Sequence, residues 1–129
     1  MFLRTILVLL CLLAASCFAQ SFELPAVASA SLVRYSKGAP MPSEPQLLAS
    51  EQLSALTAWF ASHSSGWSQS FVTYAPSIQV VLRHSDGQRS SLQVHTSKLV
   101  IYGAFGQQER KLTAEEHDSL LRLLGVSAG

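Results

Sequence analysis

An α+β domain is the fold the sequence predicts: a three- to four-stranded antiparallel meander, flanked in sequence by two amphipathic helices packed on one of its faces. Three observations predict it. Apolar residues recur at helical spacing in two segments, "SEQLSALTAWFASHSSG" and "TAEEHDSLLRLLG", while the chain between them is β-rich. The breaks within that β-rich part are of hairpin length, whereas parallel strands need crossovers of a dozen or more residues. Two helices that each carry one apolar stripe and both flank the meander belong on the same side of it, as two layers.

In chain order, the first element is an address. Arg4 precedes the short apolar run "TILVLLCLLAA", and small residues follow at Ala14, Ala15, Ser16 and Ala19, the pattern of a secretory signal peptide. The run is too short for a bilayer, which takes about 20 apolar residues. Cleavage after Ala19 makes residues 1–19 the signal and Gln20 the first mature residue. The alternative ends the signal at residue 16 and lipidates Cys17, since "AAS" before that cysteine loosely resembles the lipobox of bacterial lipoproteins. The resemblance departs at Ala14, where that pattern usually has Leu; Leu13 lies one step earlier.

Both cysteines, Cys11 and Cys17, lie in this leader, so the exported body has no disulfide. A cysteine-free body favours a periplasm over a eukaryotic extracellular fluid. Removing 19 residues from 129 leaves 110, enough for one core that buries roughly two thirds of the unfolded surface. Loss of Arg4 leaves eight basic residues against eight acidic ones. A chain of zero net charge without a basic run argues against nucleic acid or an anionic membrane as partner.

Residues 20–46 are rich in Ala, Ser and Pro, with Pro25, Pro40, Pro42 and Pro45 interrupting regular hydrogen bonding. They read as a tether with at most a short strand at 31–36, in front of a single domain at 47–129. The first helix takes Ser50 as its cap, and turns Leu53, Leu56, Phe60 and His63 to the core with Trp59 beside them. Strand-like segments follow at 67–74, 77–84, 89–96 and 98–105, and a further short one is expected to end at Leu112. Asp86-Gly87 is a two-residue hairpin signal that would set Val81 opposite Leu92; that register mixes apolar residues on both faces, which leaves a bulge or longer loop open. The last helix opens on a capping box, Thr113 with Glu116, and closes at Gly125.

Few residues offer chemistry. His63, His84, His95 and His117 include no pair at metal-ligand spacing, so no metal is expected. His84 and His95 read as exposed strand residues, His63 as a helix-boundary residue, and His117 as a neutral histidine in the apolar stripe of the last helix. "GWSQS" begins like a nucleophile elbow but lacks the closing Gly and follows a helix. No glycine-rich phosphate loop is present, and no cofactor or enzymatic activity is expected. The stretch "GWSQSFVTYAPS" interleaves Trp67, Phe71 and Tyr74 with small polar residues, the mixture binding surfaces use. With Tyr102 these are the candidate binding residues, against the plainer reading that they fill the core.

The expected role is an exported, noncatalytic protein-binding domain of the bacterial cell envelope, of inhibitor, immunity or assembly-accessory type, whose sheet edge could accept a partner strand. Its partner would be another envelope or secreted protein, its place the periplasm or the exterior. The lipidated alternative is an outer-membrane lipoprotein held to the membrane only through Cys17. Binding of a small ligand or cell-wall glycan on Trp67, Tyr74 and Tyr102 is the second reading. A small hydrolase, with His84, His95 and an acid converging in one cleft, is the third.

Overall fold

The computed structural model describes residues 20–36 and 42–126; both readings of the leader, Cys17 included, fall outside them. Among the described residues the strands are β1 (Val27–Arg34), β2 (Gln46–Leu47), β3 (Trp67–Gln69), β4 (Ile78–His84), β5 (Arg89–Val94), β6 (Lys98–Gly103) and β7 (Gly106–Lys111). The helices are α1 (Ser50–Ser62) and α2 (Ala114–Leu123). One antiparallel sheet of seven strands results, in the order β2-β1-β4-β5-β6-β7-β3. This corrects the expected three- to four-stranded meander. The consecutive meander β4 to β7 is extended by β1 and β2 on one side and by β3 on the other.

Two of the added strands come from the Pro-rich stretch. Its prolines flank β1 rather than interrupt it, and Ala30 and Leu32 face the core while Ser29 and Ser31 face away, a period of two that small residues had disguised. The β4–β5 hairpin also differs from the two-residue turn expected. Ser85, Asp86 and Gly87 form a three-residue loop, with Gly87 at φ 88° and its amide bonded to His84 O, the form that follows a tight turn with one left-handed residue. The register moves by one, so that Val80 meets Leu92 and Leu82 meets Ser90. That places Val80, Leu82, Leu92 and Val94 on one face.

Both helices cover that face. Leu56, Trp59 and Phe60 from α1 and Leu120, Leu121 and Leu124 from the end of α2 share a core with Leu32, Val80, Leu82, Leu92, Val94, Leu99 and Ile101. Phe22, from the segment before β1, completes it against Phe60, Trp67 and Phe105, with ring centroids 6.4, 5.2 and 5.0 Å away. Helix α1 begins without a side-chain cap, because Ala49 occupies that position and only Gln52 reaches back to its amide. Helix α2 has the reciprocal Thr113–Glu116 box, and ends with Val126 N bonded to Leu121 O and Gly125 N to Arg122 O. None of the described helices is long and apolar enough to cross a membrane.

The sheet's edges are short, since β2 has two residues and β3 three, which leaves few backbone groups for a partner strand. The connection from β3 to β4 matters more. These strands lie four positions apart, so residues 70–77 cross over β7, β6 and β5 as a strap. They do so on the side away from the helices.

Candidate functional site

Residues paired directly across an antiparallel sheet share a face, so the register alone defines the side opposite the helices. One row reads Leu47, Ser31, Val81, Ser91, Tyr102, Gln107, and the next Val33, Gln79, Gln93, Val100, Glu109, Ser68. The strap lies over the second row. Gln107 Nε2 donates to Val72 O at 2.7 Å and to Ser70 Oγ at 3.0 Å, and Val100 beneath the strap is 1% exposed. Tyr74 is its fastening: its hydroxyl donates to Glu109 Oε2 at 2.9 Å and accepts from Lys98 Nζ at 3.2 Å, with the ring 5.4 Å from that of His95.

Charge at this fastening is set by neighbours. The Ser70 hydroxyl, then the Tyr74 hydroxyl and the Lys98 ammonium, hold the Glu109 carboxyl below the usual carboxylate range against the effect of burial. Burial first, and the Lys98 charge second, push the His95 imidazole below its ordinary value, which keeps it neutral at pH 7. Beside the strap is a recess of about 400 Å³, lined by Tyr35, Tyr74, Tyr102, Gln79, Gln93 and Gln107 with Thr73, Pro76 and Val100. None of those residues is Asp, Glu, Lys, Arg or His. Gln79 joins two of the tyrosines, accepting from Tyr35 at 2.9 Å and donating to Tyr102 at 3.4 Å.

The candidate binding residues are divided between the two faces. Tyr74 and Tyr102 reach the recess, and Phe71 stands on the strap at 86% exposure. Trp67 is in the core, stacked on Phe60 at 5.6 Å, with its Nε1 donating to His63 O. Its strand runs only to Gln69, and the chain beyond leaves the sheet. Tyr35, Gln79, Gln93 and Gln107 were not anticipated. Gln79 and Gln93 alternate with core residues along β4 and β5, so the correct hairpin register would have grouped those two.

Exposed apolar groups are also one-sided. The large ones among the described residues are Tyr35, Leu47 at 73%, Phe71, Val72 at 56% and Tyr102. Leu47 and Tyr102 belong to the open face by register, Tyr35 reaches it through its bond to Gln79, and Phe71 and Val72 belong to the strap that crosses it.

The histidines take separate places. His84 is buried, 3% exposed, which corrects the expectation of a surface strand residue: the one-residue register shift turns it to the core side. Its Nε2 is 2.6 Å from Ser90 Oγ and its Nδ1 3.1 Å from Pro25 O. That is the spacing of a serine beside a base, and Ser90 is itself 4% exposed. His95 lies on the opposite face, so the two do not converge. His63 stacks on Trp59 at 3.9 Å and lies 3.2 Å from Glu116, which also binds Arg110 at 3.0 Å. This group joins the end of α1 to β7 and the start of α2. His117 is half-buried, 3.5 Å from Asp118, at the margin of the core. Among the described residues no three His, Cys, Asp or Glu side chains gather as metal ligands.

No protein-family model matches this chain, no curated protein matches it in sequence, and no solved structure matches it.

Proposed function

We propose that this chain is an exported, noncatalytic binding domain of the bacterial cell envelope that takes another protein on the open face of its sheet. The leader residues 1–19 support export, with retention by a lipid on Cys17 as the alternative address. The single observation that carries the binding role is the one-sided placement of Tyr35, Leu47, Phe71, Val72 and Tyr102. Scattered apolar residues on a surface need no explanation, whereas their grouping on one face marks an interaction site. Tyrosine and glutamine between them supply the rigid rings and adaptable hydrogen bonds of recognition surfaces.

A photo-crosslinking residue placed at position 71, and separately at Glu115 on α2, tests this in cells producing the full chain. A discrete protein adduct from position 71, absent from position 115 and lost on Tyr102→Asp, is expected. Adducts from both positions alike, or none from 71, refute the reading.

The uncharged recess favours a second reading, a neutral polar ligand such as a cell-wall glycan fragment, since no ion would be paired there. Both tryptophans are buried, so the sensitive probe is the side-chain amide resonances of Gln79, Gln93 and Gln107 during titration with glycan fragments. Shifts confined to those three, with no adduct at position 71, would replace the protein-binding reading.

A further inference from the structure

Arg83 and Arg89 stand directly opposite one another beside the β4–β5 turn, on the open face. Paired residues of an antiparallel ladder have Cβ atoms about 5 Å apart, and like charges in that position destabilise the pair. Among the described residues no ion pair neutralises either guanidinium. All eight acidic side chains are among the described residues, and none forms an ion pair with Arg83 or Arg89. The nearest in sequence, Asp86, accepts from Gln88 N at 2.9 Å within the turn. Two arginines thus break a local rule of sheet stability with no ion pair to compensate among the described residues, which is where function is expected.

Their surroundings specify what would compensate. Both line a second recess of about 390 Å³, whose other walls are Val33, Val81, Pro45 and Leu47, with the hydroxyls of Ser29 and Ser31. A guanidinium pair recognises a carboxylate through parallel N–H···O bonds, and the serines can donate to it as well. The aliphatic wall recognises a neighbouring apolar side chain. We infer that this recess binds an acidic residue flanked by an aliphatic one on the partner protein, the carboxylate between Arg83 and Arg89 and the aliphatic group on Leu47. A membrane surface fits less well, because its anionic groups lie in a plane and this recess is bounded by the β2 segment at Pro45 and Leu47. The inference rests on the open-face reading above and names the partner's chemistry there.

The test uses the full exported chain against an array of acetylated octapeptides, each with one Asp or Glu flanked by Leu or Val, and a matched set with Asn or Gln in place of the acid. The acidic set should be retained about tenfold better, equivalent to about 1.4 kcal/mol. The preference should vanish in the Arg83→Gln/Arg89→Gln variant and survive only in part in Arg83→Lys/Arg89→Lys, which keeps the charge and loses the fork. The Gln variant should unfold at the same urea concentration as the parent or a higher one, which separates lost recognition from lost folding. Equal retention of both sets, an unchanged preference in the Gln variant, or arginine-dependent binding of phosphatidylglycerol vesicles with a silent array would each overturn the inference. Adducts from position 71 that persist when the array shows no preference would leave the open-face reading standing alone; loss of both would remove it too.

Discussion

Burying His84 at the end of β4 forces a choice of proton. Pro25 O can only accept, so Nδ1 carries a hydrogen, while Nε2 shares a hydrogen bond with the Ser90 hydroxyl. With Ser85 N bonded to Ala26 O, the imidazole ties the segment ahead of β1 to the hairpin end. Gly103 makes room for the pair, since a Cβ there would lie 2.9 Å from that of Ser90. His84→Ala leaves the buried Ser90 hydroxyl without this partner and opens a void, a loss of about 2–4 kcal/mol. Ser90→Ala removes one bond and should cost about 1–2 kcal/mol. Because each variant breaks the same bond, urea denaturation should show the double variant less destabilised than the two losses together. Simple additivity would mean that the 2.6 Å contact contributes nothing of its own.

At the scale of elements, the junction of α1, β7 and α2 depends on one carboxylate. Its bond from the Thr113 backbone amide comes first, then the Arg110 guanidinium, in holding the Glu116 carboxyl below its ordinary value of 4.5. A group depressed on folding stabilises the fold above its unfolded value, and that contribution is lost as pH falls through the folded one. Urea midpoints should therefore decline below about pH 4.5, and Glu116→Gln should be less stable at pH 7 with a flatter decline. A decline of the same steepness in that variant would assign the acid sensitivity to Glu109 on β7, beneath the strap. The Thr113–Glu116 box was legible in the sequence because capping is local. Strand β7 was less so: its core-side residues are Gln108 and Arg110, so "GQQERK" has no apolar alternation to read. Strand β1 was masked by Ala and Ser, and the strap by its resemblance to a longer strand. Of the candidate site, Tyr74 and Tyr102 were found from composition. Their partners required the register, which a three-residue loop had moved by one.

Across the whole molecule the two sides of the sheet differ in how much apolar surface they bury. On the helix side Leu56, Leu92 and Leu120 are fully buried, and truncating any of them to Ala should cost about 2–5 kcal/mol through lost transfer energy and the cavity left behind. On the open side Leu47 and Phe71 keep most of their surface in water. Replacing either with Ser removes little burial and should shift stability by no more than about 0.5 kcal/mol. The strap itself is held by Gln107 and the Tyr74 hydroxyl rather than by the Phe71 ring. A fold that depended on the ring would respond differently, since Phe71→Ser would then cost as much as a core truncation in urea denaturation. The comparison separates the two uses of apolar surface: a ring removed without penalty to the fold is available to a partner, and a ring whose removal unfolds the chain is not.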